Sequence, residues 1–159
     1  MSTRVLSLLA IALWVVTIAV AATFFIRGQT ATAPDGRTSV MLKGDERDLV
    51  LGEMRLMLEG VQGIVAGVAA NDAKAVASAA RGVGAGAAAD VNPALMAKLP
   101  LDFKQRGMTV HGSFDELAAA IEQGTADNNA VLLRLAEQLN RCIACHATYR
   151  LDSSTATSP

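Results

Sequence analysis

Residues 5 to 26 read VLSLLAIALWVVTIAVAATFFI and carry no charge, between Arg4 and Arg27. As a helix rising about 1.5 Å per residue, this stretch is roughly 33 Å long, enough to cross a bilayer core. Residues 1–27 are therefore expected to form a transmembrane anchor. The alternative is a cleaved signal peptide, for which Ala19, Ala21 and Ala22 supply a small-residue site. The run exceeds a usual signal core, and Phe24, Phe25 and Ile26 extend it past that site. Both readings imply export. A plain count of Lys and Arg, with Arg27, Arg37 and Lys43 after the run, puts the C-terminal side in the cytoplasm. So short a leading tail makes that rule weak.

The rest of the 159 residues suits one domain. A formal net charge of -1 argues against a nucleic-acid partner, which requires a basic excess. With 52% hydrophobic and 18% charged residues, wholesale disorder is excluded. Two Cys and two His argue against a disulfide framework or a multi-cysteine zinc module. Residues 28–47, with Gly, Thr, Pro and Asp and no sustained period, read as a flexible linker. Residues 153–159 read as a disordered tail. Residues 48–152 form the expected domain.

The pattern in that domain is helical, so the fold class is all-α. A first helix is expected over 48–70, with Leu51, Met54, Leu58, Val61, Val65 and Val68 as its seam. Asn71 and Asp72 suit a turn and a cap. A second helix over 73–88 weakens at Gly82, Gly84 and Gly86, which either fray it or permit a close approach. Residues 89–112, with Pro93, Pro100 and Gly107, read as a long connection. Ser113 to Glu116 fits a capping box for a third helix over 114–124. Gly124 ends it, and Asp127 caps a fourth helix reaching about 150, with Leu132, Leu135, Leu139, Cys142 and His146 as its seam. Four such helices make an antiparallel four-helix bundle. Its core looks under-filled, with Phe103, Phe114 and Tyr149 the domain's aromatic residues. A large apolar cofactor or closer helix packing would supply the density that interiors need.

The specific chemical signal is Cys142-Ile-Ala-Cys145-His146, the attachment pattern of c-type haem. On a helix both sulfurs meet one edge of a porphyrin and can add to its vinyl groups, while His146 can place a nitrogen on the iron. A thioredoxin-like site wants a strand-to-helix setting that the pattern lacks. A zinc site would need Cys142, Cys145, His146 and the distant His111, with adjacent ligands poorly placed.

The run Cys-Ile-Ala-Cys-His-Ala-Thr-Tyr149-Arg150 near the end of a four-helix bundle resembles the class II c-type cytochromes, the cytochrome c prime family. The resemblance covers roughly 48–152 and is strong over the last helix. It implies one covalent haem c at Cys142 and Cys145, His146 as proximal ligand, and Arg150 near the haem edge beside a propionate. Arg150 as a solvated charge at a helix C-terminus is the alternative. The resemblance also implies that haem is attached in the periplasm, which overrules the charge count. Within that family the first helix decides function. A Met reaching the iron marks an electron carrier, and an apolar residue marks an open site for small gases. Met54 is expected as the distal ligand, with Met57 second and His111, expected in a loop, third. Ordinary core packing is the alternative for both methionines.

Glu53, Glu59, Asp115 and Glu116 fall on outward or first-turn positions, and no catalytic constellation is present. The expectation is a non-enzymatic electron carrier on the periplasmic side of the inner membrane. It would serve redox partner proteins of an electron-transfer chain, bind no nucleic acid, and could form a homodimer. The other reading is a five-coordinate haem protein that binds or senses nitric oxide or carbon monoxide.

Overall fold

The uncharged run forms one helix, α1 (Thr3–Arg27), in a computed structural model that describes residues 3–88 and 92–154. None of its residues is buried, and its length and composition suit either a membrane span or a signal segment. Ser7, Thr17 and Thr23 turn their hydroxyls back onto carbonyls four residues earlier, which satisfies them without water.

The stretch expected as a flexible linker is instead ordered. Strands β1 (Thr30–Thr32) and β2 (Thr38–Leu42) pair antiparallel around Pro34-Asp35-Gly36, with Gly36 at φ 81°. Val40 and Leu42 are fully buried, which supplies the driving force for the hairpin. A third strand, β3 (Tyr149–Ser153), pairs parallel to β2 with Thr38 opposite Tyr149. The molecule is thus mostly helical with a small sheet, rather than all-α. Ser153, placed in the expected tail, closes β3, while residues 155–159 lie outside the described residues.

The helices are α2 (Gly44–Ala69), α3 (Ala73–Gly82), α4 (Pro93–Lys98), α5 (Leu101–Glu122) and α6 (Asn128–Thr148). Asn71 at φ 52° makes the turn after α2, and the Asp72 carboxylate accepts from Ala75 N at 2.9 Å to cap α3. Gly124 at φ 69° follows α5, and the Asp127 carboxylate accepts from Ala130 N at 2.8 Å to cap α6. These boundaries match the sequence reading. Helix α3 stops sooner than expected, at Gly82, and a 3-10 turn follows over Ala85–Ala88. There Gly84 lets the Asp115 carboxylate come close enough to accept from Ala85 N at 2.8 Å.

The larger correction is α5. Most of the expected connection over 89–112 is helical, because Pro100 sits at the N-cap, outside the hydrogen-bonded ladder. Ser113 lies inside α5 and its hydroxyl donates to Thr109 O, so it caps nothing. Gly107 and Gly112 each cost about 1 kcal/mol in a helix interior. Burial of Phe103, Val110, Phe114, Leu117 and Ile121 on one face of α5 offsets that cost.

Helix α2 packs on α3, α3 on α5, α5 on α6, and α6 on α2. The α2–α3 contact is close. A Cβ at Gly60 would lie 2.7 Å from Val83, one at Gly67 would lie 2.7 Å from Val76, and one at Gly63 would meet Ala79. The sparse second helix thus gains density by approach rather than by side-chain bulk. The expected seams are rotated. Leu58 and Val65 on α2, and Leu132 and Leu139 on α6, are exposed, while Ile64, Val131 and Gln138 turn inward. Both helices carry two apolar stripes, and the inward one contains the small or polar residues.

Helix α1 is joined to the domain at its C-terminal end. Gly28, at φ 62°, passes so close to Lys98, Leu99 and Pro100 that no side chain fits. Buried Lys104 donates from Nζ to Phe25 O at 3.2 Å and to Met96 O at 3.3 Å, and lies 3.6 Å from the Phe25 ring centroid. A cation there complements the end of the α1 dipole, although burial pulls the amine's pKa down.

Replacing Gly60 with Leu is expected to destabilise the domain by about 1–3 kcal/mol through overpacking against α3. Gly52→Ala, where nothing crowds the site, is expected to leave stability unchanged or raise it. Urea denaturation followed by the near-ultraviolet signal of Tyr149 checks both.

Candidate cofactor cleft

The last turns of α6 bring Cys142, Cys145 and His146 to the mouth of a cleft between α2, α5 and α6. Both cysteines are free and half-buried, and burial pushes both thiols above their ordinary pKa. His146 is exposed, and its carbonyl accepts from the Arg37 guanidinium at 3.2 Å. The cleft has a volume of about 100 Å³, with Val50, Met54 and Met57 on its α2 wall and Phe103, Val110 and His111 on its α5 wall.

Two further clefts adjoin it. One, of about 190 Å³, shares Met54, Cys145 and His146 with the central cleft and is rimmed by Arg37, Arg47 and Arg150. The other, of about 280 Å³, shares Val50, Glu53, Gly107 and His111 with the central cleft and continues among Leu49, Leu95, Leu99 and Met108. Phe103 lines all three.

Every residue singled out in the sequence for a role at the cofactor borders this system. Met54 packs against the apolar cluster of Val40, Leu42, Val50 and Phe103, whereas Met57 packs against that of Ile64, Phe114 and Leu135. Arg150 is not at a helix end. It is the second residue of β3 and pairs with Asp152 at 2.8 Å and Asp35 at 3.3 Å, and its hydrogen bond to Asp152 holds its pKa up.

Three positions differ from expectation. His111 lies within α5, not in a loop; it is buried, and its Nδ1 is 2.8 Å from Val83 O. Glu53 turns inward rather than outward and is half-buried, which raises its pKa while His111 opposes that shift. Asp115 sits mid-helix, held by Ala85 N and Arg81, instead of in a first turn.

Sequence reasoning missed Arg37, in the turn before β2, and Arg47, in the first turn of α2 and donating to Leu151 O at 3.2 Å, as well as the setting of Tyr149. The Tyr149 hydroxyl donates to Asp102 at 2.8 Å, and its ring meets Phe103 edge-on with centroids 5.4 Å apart. No local signal marks the arginines, because the groups they meet at the rim, His146 O and Leu151 O, belong to a distant segment.

Among the described residues no three or more His, Cys, Asp or Glu side chains converge as a site for a bare ion. The donor set does fit a covalently held haem. Two free thiols one helical turn apart face an apolar cleft, the next residue is an imidazole, and thioethers lie on the facing helix. No protein-family model, curated protein or solved structure matches the chain.

Burial, and then the hydrogen bond to Asp102, push the Tyr149 phenol up to about 12. An unfolded tyrosine titrates near about 10. The folded state therefore favours the neutral ring, and this contribution to stability is full below pH ~10 and lost as pH rises toward ~12. Ring-labelled NMR of this single tyrosine is expected to show a midpoint near 12, and an earlier one in Asp102→Asn.

Proposed function

We propose that this chain is a monohaem c-type cytochrome of the class II kind, acting as an electron carrier. The observation that carries this reading is the placement of Cys142 and Cys145, two free half-buried thiols, on one edge of an apolar cleft with His146 beside them. Bound haem would supply reversible one-electron chemistry at iron. The chain's own residues do the rest. The thiols of Cys142 and Cys145 would hold the group as thioethers, and His146 would supply a nitrogen to the iron. Met54 and Met57 line the α2 wall of the cleft. Phe103, Val50 and Val110 keep water from the cleft. Arg150, with Arg37 and Arg47, places positive charge at the rim, where propionates carry negative charge.

We take α2, α3, α5 and α6 as the antiparallel four-helix bundle of that family, with α1 as an uncleaved anchor. The domain would then stand on the periplasmic side of the inner membrane. Anchoring raises its local concentration for redox partner proteins in the same membrane. Lys104 and Gly28 tie α1 to the domain directly, which favours a held head over a freely tethered one.

The second reading is a five-coordinate haem protein for nitric oxide or carbon monoxide. The observation that favours it is the mostly apolar cleft of about 280 Å³ adjoining the central one, room enough to admit a small gas.

Intact-mass measurement of the full chain from a host that matures c-type cytochromes is expected to show the mass of one haem added. Cys142→Ala combined with Cys145→Ala is expected to abolish the addition. A bare polypeptide mass in the native chain contradicts the proposal. Absorption spectra with and without carbon monoxide then separate the readings: a low-spin spectrum indifferent to the gas marks the carrier, and a shifting high-spin spectrum marks the gas binder.

A further inference from the structure

We propose that His111, rather than Met54 or Met57, is the side chain of the central cleft that would ligate the haem iron together with His146. The inference rests on the haem reading above and deepens it.

The first support is the order of the three clefts. His146 is shared between the arginine-rimmed cleft and the central one, whereas His111 is shared between the central cleft and the large apolar one. Both imidazoles therefore line the central cleft, each also bordering a different neighbouring cleft. Met54, like His146, also borders the arginine-rimmed cleft.

The second support is the state of the ring. A backbone carbonyl only accepts hydrogen bonds, so the 2.8 Å contact to Val83 O requires Nδ1 of His111 to carry the proton. In the neutral ring Nε2 then holds a lone pair. No hydrogen bond engages that Nε2 among the described residues, nor is it sealed away as an unsatisfied buried atom. A histidine whose one nitrogen is fixed by a backbone carbonyl while the other is open is oriented as metal-ligating histidines are.

The third support is rigidity. His111 is 4% exposed and sits one turn from Phe114 on the buried face of α5. Its ring is held before any group binds, so little side-chain freedom remains to be lost. The two methionines keep several rotatable bonds and act as gap fillers against separate apolar clusters.

The test uses the full chain, detergent-solubilised, from a haem-maturing host, with covalent haem first established by intact mass. Pulsed electron paramagnetic resonance of the ferric protein is expected to show nitrogen couplings from two axial imidazoles. Its near-infrared spectrum is expected to lack a sulfur-to-iron charge-transfer band. Met54→Ala and Met57→Ala are each expected to leave both signals unchanged. His111→Ala is expected to turn the iron high-spin and open it to carbon monoxide, with added imidazole restoring the low-spin state. His111→Gln, which keeps an amide donor for Val83 O, serves as the second variant if the alanine form does not fold. A single imidazole coupling, a sulfur band lost in either methionine variant, or a native high-spin spectrum overturns the inference and leaves the haem reading standing. Absence of added haem mass overturns both.

Discussion

The close contact between α2 and α3 governs the arrangement of everything around the cleft. Gly60, Gly63 and Gly67 bring the α2 backbone against Val76, Ala79 and Val83. That contact fixes the rotation of α2 about its axis. Once Gly60 and Gly67 face α3, Met57, Ile64 and Val50 must face inward, and Met54 and Glu53 must border the cleft. Helix α6 meets no such surface. Its core residues Val131, Leu135 and Gln138 pack near its start, and its last turns stand off from α2 across the cleft. Protein interiors pack densely, and the proposed haem would fill this apolar gap at the pair of free thiols.

The sheet is the second constraint. Strand β3 continues directly from α6, and its parallel pairing with β2 pins the end of that helix. The same pairing carries Arg37 to the His146 carbonyl and Arg150 to Asp35. Positive charge at the rim is therefore a product of topology. Its ion pairs are half-exposed, and pairs of that kind contribute little to stability. Their value lies in placing charge beside His146.

Much of this was legible in the sequence, in proportion to how local the cause was. The uncharged run is continuous in sequence, the Asn71-Asp72 turn, Gly124 and the Asp127 cap each act over one turn, and all four appear where expected. The spacing of Cys142, Cys145 and His146 likewise needed only a helix to gain meaning. The hairpin was hidden because its strands are short and Pro34-Asp35-Gly36 reads equally well as a linker. The length of α5 was hidden by Pro100, Gly107 and Gly112, although the apolar spacing of Phe103, Val110, Phe114 and Leu117 runs straight through them. That spacing also places His111 on the inward face, a signal that was present and outweighed. The inward faces of α2 and α6 were not legible. Each helix has a second apolar stripe, and only the glycine contact with α3 decides between the stripes on α2.

The account stands on a porphyrin joined to α6 through both cysteine sulfurs. The pyridine haemochrome spectrum of the full chain from a haem-maturing host addresses this most directly, because its band position reports whether both vinyl groups have been consumed. The account predicts the spectrum of a haem with two thioether bonds, at one haem per chain. A spectrum of unmodified haem, or none at all, would contradict it.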